Sequence, residues 1–490
     1  MSLSAHNSIL EYRLWILARV RDCRVDTVPI LDLTEGGYNV WQRFEQYIFS
    51  VDLARFSQTG SFDSYARGEG GVLKANAYKG ILVGILSIIY TLVSVFFMAL
   101  RGARVIVFGI DRISDPIYKA DFRMHFIYKY LRGQRVEYFE ILHTLFNRDF
   151  VHRLFIRLRP VAYLEAPDTV YAIGRLLGFF KSPAITIETP PGLNSDEDRF
   201  IRYVIKKYLA QRITSHLRVR MLEYILRITR ARVVTAIDDA RTFHDLAIAA
   251  QRVGIPMIAF QHGHFTKYHI GWLAPRAWRG KIPRPDILVV WSEYWRHELA
   301  RLKSIFSDDQ LMVGTLNMHQ HVHARALHTQ IVLIPHETDS PKADIAKSIV
   351  TLVNAGFHVV LKLRPDASRA SQLAQYPELP HSPAFRTIVH LKELTEAPGC
   401  AIGVYSSFLY EMIAHGVPVG VLSDLSPYGL GMIENGLANK IRIDALVEDT
   451  RTLLNTASEE LGRRHAVLTE GQVPIESVLA DIMHKAHISV

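Results

Sequence analysis

Short apolar, often β-branched runs alternate along this chain with longer stretches in which apolar positions return every three or four residues. That is the pattern of buried strands followed by amphipathic helices. From residue 104 the pattern predicts strands at 104–110, 135–140, 161–165, 184–188, 232–237, 256–260 and 286–291, with helices across 197–229 and 292–305 and a short strand at 311–313. A second series starts at 331, with strands 331–334, 358–363, 386–390, 400–404 and 417–422 and helices 341–355 and 407–415. Helices near 450–463 and 474–487 close the chain. Strand–helix alternation of this kind implies mainly parallel, doubly wound sheets.

The expected fold class is therefore α/β, with two Rossmann-like lobes behind an N-terminal, helical, membrane-associating extension. The divisions are 1–100 for the accessory region, 101–314 for the first lobe, 315–329 for a linker and 330–490 for the second lobe with its C-terminal helices. Within the extension, Gly80–Leu100 carries no charge and lies between Lys79 and Arg101. This apolar helix 80–100 has the roughly 20 residues a bilayer core requires. It runs within a few residues into the strand at 104, and arginines flank it on both sides, so charge gives no orientation. Contact with a membrane surface is favoured, whether peripheral, monotopic or single-span; a fully buried helix is the remaining alternative.

Composition narrows the partners. Of 490 residues, 49% are hydrophobic and 21% charged, which suits a globular chain and excludes a disordered one. Two cysteines, Cys23 and Cys400, argue against a disulfide scaffold. The net charge of +9 points to an anionic partner. The basic residues form no dense tract and no nucleic-acid module is recognisable, so a phosphate-bearing substrate and a membrane surface are expected and nucleic acid is not. Met1–Asn7 is polar, and Arg13, Arg19, Arg21 and Arg24 interrupt the apolar positions after it, unlike a signal peptide. His319, His321, His323 and His328 have a spacing that suits a metal on an extended strand, but no cysteine or carboxylate ligand lies near them. They read as linker, with no metal and no cofactor expected.

Candidate chemistry lies at the strand ends, because parallel strands present ligands at their carboxyl ends. In the first lobe these ends carry Asp111, then Asp238 and Asp239, then Gln261, His262 and Gly263. Each is open to a plainer reading, as helix cap or loop histidine; the three together favour a cleft. In the second lobe one strand ends in Lys362, Arg364 and Pro365, cations suited to phosphate oxygens. Another leads to Ser406 and Ser407 at a helix start, with Glu411 one turn in. Hydroxyls and backbone N–H groups at such a start bind anions, and simple capping is the alternative. No GxGxxG follows a strand and no GxxxxGK[ST] occurs, which removes the main support for dinucleotide and P-loop readings.

In their order and spacing, Asp238-Asp239, Gly254–Gly263, Lys362–Pro365 and Ser406–Glu411 resemble the motifs of GT-B glycosyltransferases of bacterial surface-carbohydrate (capsule and O-antigen) biosynthesis. The resemblance covers roughly 230–440. It departs from the family at Arg364, where a histidine would stand, and so away from a cytidine-nucleotide donor. It implies metal-independent transfer from a nucleotide-sugar donor to a saccharide or lipid-linked acceptor at the cytoplasmic face of the inner membrane. Asp239 or His262 would be the base, with Asp238 orienting. Lys362, Arg364, Ser406 and Ser407 would hold the leaving nucleotide, Glu411 its ribose, and Gly429–Glu434 would close over the donor. The alternatives are a nucleotide-sugar epimerase of the same fold and a non-catalytic subunit of a polysaccharide assembly complex.

Overall fold

The computed structural model describes residues 9–143, 150–157, 159–179, 184–237, 243–268, 270–274, 276–315, 330–338, 340–365 and 367–488, apart from the side chains of 69–83 and 276–277. The first sheet is formed by β1 (Val105–Ile110), β2 (Tyr138–His143), β3 (Val161–Tyr163), β4 (Val233–Ile237), β5 (Met257–Phe260), β6 (Ile287–Val290) and β7 (Leu311–Val313). Its order is β3-β2-β1-β4-β5-β6-β7, with every pairing parallel. The second sheet contains β8 (Ile331–Pro335), β9 (His358–Lys362), β10 (Phe385–Ile388), β11 (Cys400–Gly403), β12 (Val419–Val421) and β13 (Asn439–Lys440). Its order is β10-β9-β8-β11-β12-β13, again wholly parallel. Both sheets thus start at an interior strand, wind outward to one edge, and return to build the other half. That is the Rossmann order, and each sheet has a switch point, between β1 and β4 and between β8 and β11. Side chains of β1, β4 and β5 are buried on both faces, as their unbroken apolar runs require.

The run at 184–188 does not join the first sheet. Ile187–Glu188 pairs antiparallel with Arg24–Val25, which also pairs with Val28–Pro29. An apolar run this short cannot specify its sheet; here the N-terminal segment supplies the partner. Residues 10–65 share a core with the front half of the helix Ser195–Ile228, where Phe56 stacks on Phe200 with centroids 4.1 Å apart. Asp52 is fully buried there and accepts hydrogen bonds from Tyr65 (2.6 Å), Lys207 (2.8 Å) and Tyr208. A second buried carboxylate, Asp245, gathers Arg43, Ser215 and Arg218, and Arg218 continues to Asp168 at 2.8 Å. Removing one member of such a network strands the others without partners, so it pins the extension to the first lobe.

The apolar segment is the second half of one helix, Phe62–Arg101, started by a Ser61 side-chain cap and ended at Gly102. Its 84–101 stretch has the length and hydropathy of a membrane span. It also lies against β3 and the helix Ala166–Leu176. The terminal helix Ile475–Lys485, which follows the second lobe in sequence, crosses back to the first. Its Val478, Leu479 and Ile482 pack with Val105, Val107 and Ile127.

Candidate functional site

The carboxyl ends of the two sheets meet. His264, four residues beyond β5, has its ring centroid 5.7 Å from Tyr410 and 6.5 Å from Tyr405, two residues beyond β11. Beside them Trp295 packs on Tyr410 at 4.7 Å, Asn435 donates to the Tyr294 hydroxyl at 2.7 Å, and Lys267 pairs with Glu434 at 3.4 Å. The segments that follow the strand ends of the two sheets therefore meet at an aromatic junction.

At the second switch point, Glu337 fills the position where a ligand anion is commonly expected. Its Oε1 accepts from the backbone N–H of Val404 (3.0 Å), Tyr405 (2.9 Å) and Ser406 (2.6 Å). Burial lifts the Glu337 carboxyl above the ordinary carboxylate range, while these amides and Lys342 pull the other way. Lys342 in turn donates to the carbonyls of Thr338 and Ser340, both at 3.1 Å, and fixes the turn after β8. A Cβ at Gly403 would sit 3.0 Å from Glu337 Oε1, a tight contact that glycine avoids. A Cβ at Gly429 would collide with the Val404 carbonyl, which seats the 427–434 segment against the same strand end.

This arrangement changes what the serines can do. The amides of 404–406, which the sequence leaves open for a donor phosphate, are used internally. The Ser406 hydroxyl caps the helix Ser407–Ala414 by accepting from Phe408 N at 3.2 Å. The other sequence-predicted groups of this lobe are Ser407, Lys362, Arg364 and Glu411. Lys362 at the end of β9 is half-buried, with its ammonium 4.8 Å above the Phe408 ring. Burial pushes the Glu411 carboxyl up to about 7, and Lys362 acts to lower it. Sequence positions 49 residues apart, 411 minus 362, thus converge on one face. Arg364 is exposed and donates to Thr338 Oγ1 at 3.0 Å. Its backbone is gripped by buried Gln372, which accepts from Arg364 N at 2.8 Å and donates to Arg364 O at 2.9 Å.

On the first lobe, Gln261 latches two strand ends. Its side chain accepts from Trp291 N at 2.9 Å and donates to the Gly263 carbonyl at 2.8 Å, while the Trp291 indole donates to Gln261 O at 2.9 Å. The latch fixes the turn that carries half-buried His262, Gly263 and His264 toward the second lobe. Asp111 does not line the cleft. It is fully buried, with its carboxylate taken by Arg153 and Arg157, so it anchors the first switch point as an internal ion triad. Asp238 and Asp239 lie outside the described residues, as do His319, His321, His323 and His328. Among the described residues no group of three His, Cys, Asp or Glu is arranged to hold a metal.

Two first-lobe residues escaped the sequence reading. His143, the last residue of β2, hydrogen-bonds through Nδ1 to Glu165 beyond β3, and its side chain remains 27% exposed. A carboxylate held against one ring nitrogen fixes the orientation and tautomer of the imidazole. The signal was present, because the apolar alternation continues through Ile141 and Leu142; ending the strand at 140 hid it. His264 was passed over because its partners, Tyr405 and Tyr410, belong to the other lobe.

No protein-family model matches the chain, and no curated protein matches it in sequence. Its fold is similar to several solved structures at low identity. The calicheamicin glycosyltransferase CalG4 aligns with a TM-score of 0.48 and 13% identity, over 78% of this chain and 98% of its own. MurG of Acinetobacter baumannii aligns with a TM-score of 0.47 and 12% identity, over 78% and 99% of the two chains. The UDP-GlcNAc 2-epimerase of Neisseria meningitidis, bound to UDP-GlcNAc, aligns with a TM-score of 0.43 and 14% identity, over 78% and 99%.

Proposed function

We propose that this chain is a glycosyltransferase that moves a sugar from a nucleotide-activated donor to a saccharide or lipid-linked acceptor of surface-polysaccharide assembly. The observation that carries the reading is the convergence of Lys362 and Glu411 at the edge of the second sheet, opposite the turn 261–264 of the first. A cation, a hydroxyl and a carboxyl on one wall suit a nucleoside phosphate. Lys362 and Arg364 would neutralise its oxygens, Ser407 would donate a hydroxyl, and Glu411 would bind the ribose. With its carboxyl near 7, Glu411 both donates to and accepts from a diol at neutral pH.

Transfer needs a base on the opposite wall. That base takes the acceptor hydroxyl proton as the oxygen attacks the anomeric carbon and the nucleotide phosphate departs. Asp239 and His262, with Asp238 orienting, remain the proposed base set. The His143–Glu165 pair is a further candidate on the same lobe edge. No step in this scheme calls on a metal or a cofactor.

A panel of nucleotide sugars tests the reading. A matching donor should raise the melting temperature of the full chain, and Lys362→Ala and Arg364→Ala should abolish that shift. With acceptor present, nucleotide should be released in step with glycosylated product. Conversion of the donor sugar to its isomer without acceptor would instead establish the epimerase. The transferase reading is lost if no donor in a broad panel binds.

A further inference from the structure

We propose that the helix stretch 84–101, with its neighbouring helix, is a monotopic docking surface for an anionic lipid bilayer. The helix buries polar side chains along with apolar ones and exposes a row of large apolar ones. The face turned into the protein carries Ser87, Thr91 and Ser94, all under 5% exposed. The outward face carries Ile85, Ile89, Leu92, Val93, Phe96 and Leu100, between 38% and 74% exposed. These positions recur at three- and four-residue intervals and form one stripe. A stripe in which the polar side chains point inward and the large apolar ones outward is unfavourable against water and favourable against hydrocarbon. Beside it, Leu176, Leu177 and Phe179 at the end of the helix Ala166–Leu176 are 79%, 62% and 77% exposed.

The inward face excludes a free transmembrane helix. Thr91 Oγ1 accepts from Tyr163 N of β3 at 3.0 Å, and the Tyr90 hydroxyl donates to the Arg159 carbonyl at 2.8 Å. A Cβ at Gly84 would overlap the Thr169 side chain, so helix and lobe are in direct contact there as well. Val95 and Met98 belong to the first-lobe core. Along this length the helix is a wall of the lobe, and only its outer stripe is available to lipid. Such a helix lies in the interface plane rather than crossing it.

Charge selects the occupant. Arg101, Arg104, Arg230 and Arg232 are all exposed at the C-terminal end of the stripe. Two backbone hydrogen bonds hold their segments together, Ala103 N to Thr229 O at 2.8 Å and Arg232 N to Arg104 O at 2.8 Å. Four guanidinium groups beside a lipid-facing stripe complement anionic headgroups and disfavour a second copy of the same basic surface. The inference does not depend on the reaction carried out in the cleft.

Co-sedimentation of the full chain with phosphatidylcholine vesicles, with and without a phosphatidylglycerol fraction, tests it. The expected result is binding that rises with the anionic fraction and falls with salt. The double variant Leu92→Asp with Phe96→Asp should lose at least about tenfold in vesicle affinity, given the apolar area removed from lipid. Arg101→Glu with Arg104→Glu should weaken binding to anionic vesicles and leave the little binding to neutral ones unchanged. Because these positions are exposed, both variants should keep the parent melting temperature. Fluorophores placed through Ile85→Cys, Leu92→Cys and Leu100→Cys should all be quenched at one shallow depth by spin-labelled lipids. A depth maximum at 92 flanked by shallow ends would overturn the monotopic placement. Unaltered vesicle binding by the Asp variant would overturn the surface itself, and so would a dimer in lipid-free solution that the same variant dissolves.

Discussion

Glu337 Oε1 stands 2.6 Å from the amide nitrogen of Ser406, so the end of β8 is tied to the end of β11 across the second switch point by a carboxylate of the protein itself. In many open sheets this crevice is left to a ligand. Here a side-chain carboxyl of the protein occupies the amides, and on the neighbouring strand stand Lys362, at the end of β9, and Arg364, two residues beyond it. A donor phosphate would therefore be held from the side by Lys362 and Arg364.

Glu337→Ala should lower stability, because amides at 404–406 lose their acceptor, at about 1–3 kcal/mol for each buried donor left unsatisfied. The same substitution creates an empty anion nest. Inorganic phosphate should then raise the variant's melting temperature more than that of the parent. Equal phosphate responses in the two proteins would show that Glu337 is not the occupant that matters.

Glu411 sets a pH dependence with a definite sign. Burial lifts its folded carboxyl to about 7, above its value in the unfolded chain. The folded protein therefore holds the proton that the unfolded chain has released, and this group's contribution to stability falls as pH rises between the two values. Below the unfolded value, both states are protonated and the term vanishes. Glu411→Gln removes it, so the variant should gain over the parent between about pH 5 and pH 7 and match it at lower pH. Melting temperature against pH for the two proteins checks this; parallel curves would place the Glu411 carboxyl in the ordinary range.

Arg364→Ala should weaken nucleotide binding by about 1.5–3 kcal/mol, the range for a hydrogen bond to a charged group. Stability should change little, since the guanidinium is exposed and the local backbone is held by Gln372. Gln372→Ala supplies the contrast. It removes a fully enclosed amide that satisfies Arg364 N, Arg364 O and Ala367 O, and should lower stability and nucleotide affinity together. Calorimetry on both variants separates contact from scaffold.

Much of the fold was legible because an unbroken apolar run ended by polar residues survives in any context. The runs 232–237, 256–260 and 400–404 met that description and became β4, β5 and β11. The run 184–188 met it less well, and its sheet was decided by Arg24–Val25, some 160 residues earlier. The sequence showed which polar residues end strands, but not what they would meet. Nothing local announces that Asp111 will be enclosed by Arg153 and Arg157, or that Glu337 will meet amides 67 to 69 residues away. A carboxylate's role depends on which opposite charges or N–H donors the topology brings to it, and those come from distant strands. Glu337 nevertheless obeys the strand-end rule used for Asp111 and Lys362, because it stands two residues beyond β8.

The base is the sharpest question left to experiment, and three variants resolve it. Asp239→Asn, His262→Ala and His143→Ala each remove a candidate base that precedes the second lobe in sequence. A general base contributes about 10²–10⁴-fold to rate and little to donor affinity. The variant lacking the true base should therefore lose turnover by that factor while binding nucleotide normally. If His143 is the base, Glu165→Gln should also slow transfer and shift the pH–rate profile, because the carboxylate fixes the ring through Nδ1. If His262 is the base, Glu165→Gln should leave that profile alone. A purely structural role for either histidine predicts a lower melting temperature with turnover largely kept. Should all three variants retain near-normal transfer, the acceptor proton leaves by another route and the base assignment on this lobe fails, although the nucleotide-binding wall would still stand on its own measurements.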